Sequence, residues 1–202
     1  MILNTMIMGM ICIIVGFFFS QDAADILAVF WSRLSCAIGP VRVKITGKKN
    51  YTRFKSYVVV SNHQSMVDIP VFGSACNQLG CIFVDRSNHD AAVQSIEAAK
   101  KKLSQKASVL FFAEGTRSRD GKVMPLKKGA FVFAMETGVP ILPVTIKNSM
   151  DLLPPDTMDL TPGTVEIIVH RPVHISPYHK ENLDQLMAQV QKTIGDAVLA
   201  KD

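Results

Sequence analysis

After residue 40 the chain alternates short apolar runs with stretches of helical period, and this alternation limits the possible folds more than any other feature. Val41 to Thr46 switches between apolar and charged residues, as a half-exposed strand does. Tyr57 to Ser61, Cys81 to Val84 and Val109 to Ala113 read as buried strands, and Ile141 to Ile146 and Val165 to His170 as further strands. Between them, Ala91 to Leu103 has helical period and a Lys-rich last turn. Gly129 to Thr137 reads as a second helix, stopped by Gly138 and Pro140. Asn182 to Leu199 is amphipathic, with Leu183, Leu186, Val190, Ile194 and Val198 on one stripe. Tyr51 to Lys55 and Asp151 to Thr161 are the expected loops. Strands alternating with helices predict an α/β domain over residues 41–202, built on a mixed, largely parallel sheet flanked by helices. Ligands of such sheets bind outside the carboxyl ends of the strands.

Residues 1–40 are of another kind. Met1 to Ser20 carries no charged side chain, and Ile7 to Phe19 is an unbroken apolar run. A helix of about 20 residues spans about 30 Å, the thickness of a bilayer's hydrocarbon core. Ala23 to Ile38 follows, with Ile26, Leu27, Phe30, Trp31 and Leu34 at helical spacing and Asp22, Asp25 and Arg33 on a polar side. The pair reads as membrane-anchoring helices, the second lying at the interface with Trp31 as an anchor. A secretory signal is disfavoured, since no Lys or Arg precedes the run and no small-x-small cleavage site follows it. A buried core helix is the other alternative.

Charge adds orientation. Arg33, Arg42, Lys44, Lys48, Lys49, Arg53 and Lys55 all follow the apolar run, which by the positive-inside rule leaves the bulk of the chain in the cytoplasm. The formal net charge is +5, favouring anionic partners such as phospholipid headgroups or phosphorylated substrates. Nucleic acid is disfavoured: three Tyr and one Trp do not make a basic face interleaved with aromatic rings. The four cysteines, Cys12, Cys36, Cys76 and Cys81, lack zinc or C-x-x-C spacing and read as reduced, in keeping with a cytosol-facing compartment.

Four segments carry chemistry. Asn62-His63-Gln64-Ser65-Met66-Val67-Asp68 leaves the strand Tyr57 to Ser61 at its carboxyl end. A carboxylate on the Nδ1–H of an imidazole fixes the tautomer, so that Nε2 can take a proton. His63 and Asp68 are candidates for that pair. The same residues admit a structural reading, because Ser65 and Asp68 also fit an S-x-x-D capping box. Phe112-Ala113-Glu114-Gly115-Thr116-Arg117-Ser118-Arg119 leaves the next strand. There Gly115 allows close backbone approach, Thr116 adds a hydroxyl, and Arg117 offers a planar fork suited to phosphate oxygens. A solvated basic loop is the alternative. Phe83-Val84-Asp85-Arg86 again ends a strand in charge, with Arg86 positioned for an anion or paired with Asp85 at the surface. Val139-Pro140-Ile141-Leu142-Pro143-Val144 alone says only that a helix stops and a strand begins.

Together these segments resemble the four sequence blocks of the glycerolipid acyltransferase family, in particular its 1-acylglycerol-3-phosphate acyltransferases. N-H-x-x-x-x-D is matched by Asn62, His63 and Asp68, and F-I-D-R by Phe83, Val84, Asp85 and Arg86 with one conservative change. F-P-E-G-T-R-S is matched except for Ala113 in place of proline, and V-P-I-x-P-V by Val139 to Val144. The blocks occur in the family's order. The resemblance implies a glycerol-3-phosphate acyltransferase-like fold and direct acyl transfer. His63, held by Asp68, would take the proton of the acceptor hydroxyl. That oxygen would attack the thioester of acyl-CoA or an acyl carrier protein, the co-substrate, with no cofactor and no metal.

The implied acceptor is 1-acylglycerol 3-phosphate (lysophosphatidic acid), and the product phosphatidic acid. Arg86, Gly115, Thr116 and Arg117 would hold the acceptor phosphate, with Glu114 orienting their loop and Lys128 a further phosphate candidate. The implied location is a cell membrane, the inner one where two are present, with the catalytic domain on the cytoplasmic face. A lysophospholipid bearing a headgroup or glycerol 3-phosphate as acceptor, or a non-enzymatic lipid-binding protein, stays open at this point.

Overall fold

The computed structural model describes residues 41–52, 55–65, 68, 81–83, 100, 103, 108–157 and 159–200, with isolated positions 11, 26, 27, 30, 31 and 34. The expected anchoring helices of residues 1–40 and most of the helix expected over Ala91 to Leu103 therefore lie outside the described residues. Among the described residues no helix is long and apolar enough to cross a membrane.

Among the described residues six strands form one sheet: β1 (Val41–Thr46), β2 (Val58–Ser61), β3 (Cys81–Phe83), β4 (Ser108–Phe112), β5 (Ile141–Lys147) and β6 (Gly163–Val169). Their order across the sheet is β1-β6-β5-β2-β4-β3. β2 pairs in parallel with β4 on one side and β5 on the other, and β3 with β4. β6 runs antiparallel to β5, and β1 parallel to β6. The sheet is thus mixed, with four parallel strands at one side and a reversed pair at the other. Among the described residues three α-helices with defined bounds accompany it: α1 (Gly129–Thr137), the four-residue α2 (Ser149–Leu152) and α3 (Leu183–Leu199).

β2 shows why its sequence is apolar throughout rather than alternating. A central strand is covered on both faces. Val58 and Val60 point to the side packed by Ala130, Phe131, Leu186, Val190 and Ile194 of α1 and α3. Val59 points to the other, among Leu142, Leu152 and Val165. All three valines are fully buried, each stabilising the fold by about 1.5–3 kcal/mol relative to exposure. α3 buries only the stripe Leu186, Val190 and Ile194, as its period requires. Just past its end, the carbonyl of Ala200 accepts from Lys147 Nζ at 2.8 Å. α1 ends where Gly138 turns left-handed at φ 68, a backbone state that costs glycine least.

The expected loop Asp151 to Thr161 is shorter than its composition suggests, because α2 takes its first two residues. Leu152, an apolar residue in that stretch, turns inward and is buried against the β1–β6 side of the sheet.

The parallel pairing decides where the site can form. Ser61 sits level with Phe112 on one neighbour and Val144 on the other, so the carboxyl ends of β2, β4 and β5 open at the same edge.

Candidate active site

β2 ends in Asn62, whose side-chain amide continues the strand pairing. Its Nδ2 donates to Ile146 O at 2.9 Å, and Ile146 N–H donates back to Oδ1 at 2.8 Å. The buried amide holds the start of the loop against β5, so the next residue leaves the sheet at a fixed point.

That residue is His63. Its N–H donates to Glu114 Oε1 at 2.6 Å, and its carbonyl accepts from Ser118 N–H at 2.8 Å. The loop after β4 thus clamps its backbone on both sides. Its ring stacks on Phe112, with centroids 4.3 Å apart and planes at 21°. Its Nδ1 lies 3.0 Å from Asp68 Oδ2. The ring remains 14% exposed while the Asp68 side chain is fully buried. Nε2 makes no hydrogen bond among the described residues. An imidazole held at Nδ1 by a buried carboxylate, with Nε2 unoccupied, can accept a proton there.

Asp68 does more than hold the ring. Oδ2 also accepts from Gln64 N–H at 2.7 Å and Ser65 N–H at 2.9 Å. Half of the S-x-x-D capping box is therefore present: the carboxylate reaches back to the Ser65 backbone. The Ser65 hydroxyl donates to Leu153 O at 2.8 Å. Oδ1 is buried without a partner. The structural and the chemical readings of this segment are compatible, since one oxygen serves both.

Glu114 is buried and turned inward. Its two oxygens accept the N–H of His63 and, at 2.7 Å, that of Met124. Burial pushes its carboxyl above the ordinary value of 4.5, while those two N–H groups pull it down. Beyond it, Gly115 and Thr116 are exposed and Arg117 is half-buried. No carboxylate among the described residues pairs with Arg117, whereas Arg119 reaches Asp156 at 3.7 Å. Lys128 stands immediately before α1 and is exposed. Arg86 lies outside the described residues.

Three contacts at this site are not legible in the sequence pattern. Phe112 supplies the surface under the His63 ring. Gln191, on the polar flank of α3, holds the 123–126 segment: Leu126 N–H donates to Oε1 at 2.8 Å, and Nε2 donates to Met124 O at 3.0 Å. Lys127 donates its N–H to Ala113 O at 2.7 Å, which sets it beside the loop. A partner on another element leaves no periodicity to read; only the Lys127-Lys128 doublet hinted at a cation here.

The chain is similar to known proteins. The Acyltransferase family model matches residues 66–147. The chloroplastic 1-acyl-sn-glycerol-3-phosphate acyltransferase LPAT1 of Arabidopsis thaliana is 32% identical over 172 residues, 73% of this chain and 48% of that protein. The chain thus spans about half the length of that curated relative. An uncharacterized acyltransferase of Schizosaccharomyces pombe, C1851.02, is 30% identical over 84% of this chain and 70% of its own length. The crystal structure of the 1-acyl-sn-glycerophosphate (LPA) acyltransferase PlsC from Thermotoga maritima superposes with a TM-score of 0.72, at 27% identity, covering 96% of this chain and 90% of that one. The fission-yeast match runs through most of both chains, and the family model spans β3, β4 and β5: the chain belongs to the acyltransferase family.

Proposed function

We propose that this protein transfers a fatty acyl group from a thioester donor to the free hydroxyl of 1-acylglycerol 3-phosphate, making phosphatidic acid. The observation that carries the reading is the 3.0 Å approach of His63 Nδ1 to a buried Asp68, beside a loop whose Arg117 has no carboxylate partner among the described residues. His63 Nε2 takes the hydroxyl proton as the acceptor oxygen attacks the thioester carbonyl. The C–O bond forms, the C–S bond breaks, and the proton passes from Nε2 to the departing thiolate. No acyl-enzyme is required, and no G-x-S-x-G nucleophile elbow is present in the sequence. General-base assistance of this kind contributes about 10²–10⁴ in rate, and fixing both substrates supplies much of the remainder.

In this reading Gly115, Thr116 and Arg117 bind the acceptor phosphate, with Arg86 as a further contributor. Glu114 fixes their loop against the backbone of His63, which its two hydrogen bonds support. The donor is acyl-CoA or an acyl carrier protein. Residues 1–40 anchor the chain in a cell membrane, with the domain 41–202 on the cytoplasmic face; the charge-free Met1 to Ser20 and the basic residues after it support this.

The test is a panel of acceptors offered to the full chain in lipid vesicles with one acyl-CoA, products read by mass spectrometry. We expect phosphatidic acid from 1-acylglycerol 3-phosphate, with glycerol 3-phosphate, lysophosphatidylcholine and monoacylglycerol slower by about tenfold or more. Equal rates on the unphosphorylated acceptor would remove the phosphate site from the proposal. Absence of transfer to all four would remove the activity.

A further inference from the structure

The segment after the 113–118 loop brings a second cation to it. Gly115 has a left-handed backbone, φ +76, and a Cβ at that position would stand 2.5 Å from Lys127 Nζ, 2.6 Å from Cε and 2.9 Å from Cδ. The Lys127 side chain therefore lies across the bare face of Gly115. The glycine is needed twice, for its φ and for the space it leaves. The main chain under Lys127 is fixed on both sides. Its own N–H donates to Ala113 O at 2.7 Å, and the Gln191 amide holds Val123, Met124 and Leu126.

Among the described residues neither Lys127 nor Arg117 has a carboxylate partner. The loop's own carboxylate, Glu114, is engaged inward by the N–H groups of His63 and Met124. Two cations with no carboxylate partner among the described residues, Lys127 across Gly115 and Arg117 next to Thr116 in the chain, suit a dianionic group, which each would meet with a charge-assisted hydrogen bond.

We propose that Lys127, rather than its neighbour Lys128, is a binding residue for a phosphate monoester, with Gly115 as its seat. The inference rests on the acyl-transfer reading above, under which two substrates carry such a group: the glycerol phosphate of the acceptor and the ribose phosphate of a CoA donor. The full chain is compared as wild type, Lys127→Met, Lys127→Arg and Lys128→Met, with Lys122→Met at the exposed turn as control. Apparent KM is measured for the acceptor at saturating acyl-CoA and for acyl-CoA at saturating acceptor. Glycerol 3-phosphate binding is measured separately by calorimetry.

Lys127→Met should raise one of the two KM values about tenfold, with kcat within about twofold, and Lys127→Arg should restore most of the loss. A rise in the acceptor KM, with weakened glycerol 3-phosphate binding, assigns the group to the acceptor. A rise in the acyl-CoA KM alone assigns it to the donor. The proposal is overturned if neither KM nor glycerol 3-phosphate binding responds, or if Lys128→Met or Lys122→Met has as large an effect. Should the wild type transfer nothing, the activity reading fails by itself, and calorimetry alone decides the Lys127 site.

Discussion

The loop after β2 and the end of β6 each hold a half-buried histidine hydrogen-bonded to a side chain, and the two rings are set up for opposite ends. His63 gives Nδ1 to a buried carboxylate and leaves Nε2 without a partner among the described residues. His170 has Nε2 itself engaged, 2.8 Å from the hydroxyl of Thr145, which is sealed between the sheet and α3. Burial pushes the His170 imidazole below its ordinary value, because nothing nearby offsets the loss of water. The first arrangement supports a proton being taken up; the second resists it. What separates a proton acceptor from a structural ring is which nitrogen is free and whether a carboxylate is at the other, not the depth of burial.

The sharpest way to break this comparison is to remove each ring. His63→Ala should lower the transfer rate by about 10²–10⁴-fold with the acceptor KM little changed, while His170→Ala should leave the rate within a factor of about three. Steady-state kinetics on both variants decides it, and a His170 variant as slow as the His63 variant would erase the distinction drawn here.

Next in size is Asp68→Ala, which takes one acceptor from three donors. Because Oδ2 serves the imidazole and the N–H groups of Gln64 and Ser65, rate and stability should fall together. We expect about a hundredfold in rate and about 1–3 kcal/mol in denaturant unfolding. A loss of stability with the rate retained would leave Asp68 as a helix cap only.

Glu114→Gln should be milder. One amide oxygen can replace one carboxylate oxygen, but the NH₂ group then faces the N–H of His63 or Met124. A cost of about 1–2 kcal/mol is expected, with a reduced rate through a displaced His63. A variant as stable and fast as wild type would show that the clamp is dispensable.

The smallest effect concerns pH. His170 has a folded-state pKa below the ordinary 6.5, so the unfolded chain binds the proton first. Its contribution to stability is fully present above that ordinary value and is lost as pH falls through it toward the folded value. Unfolding midpoints of wild type and His170→Gln, taken at about pH 7.5 and pH 5.5, should differ less at the acid end, where the wild type has lost ground. Parallel pH profiles would show that the Thr145 contact does not hold the ring neutral.

Much of the fold is legible in the chain. The bounds of β1 and α1 follow from period and from the stop at Gly138, because alternation and glycine's left-handed backbone act within a few residues. β2 and β4 are offset from their expected ends by one residue. The direction of β6 is not legible: a strand reads the same whether its neighbour runs parallel or antiparallel. At the site, the five-residue spacing of His63 and Asp68 allowed either a helix cap or a held imidazole, and the spacing alone could not choose. In the structure one oxygen does both: Asp68 Oδ2 accepts the Ser65 N–H and holds the His63 ring.

The sequence by itself determined the residue types at strand ends, the strands and helices that carry them, and the charge-free segment before residue 21. Each depends on neighbours a few positions away, and so is written locally. Tertiary structure alone decided that Phe112 lies under His63, that Glu114 ties His63 to Met124, that Gln191 braces the loop from α3, and that Lys127 rather than Lys128 crosses Gly115. Those contacts join segments tens of residues apart. They exist because the parallel pairing of β2, β4 and β5 brings the carboxyl ends of three strands to one edge.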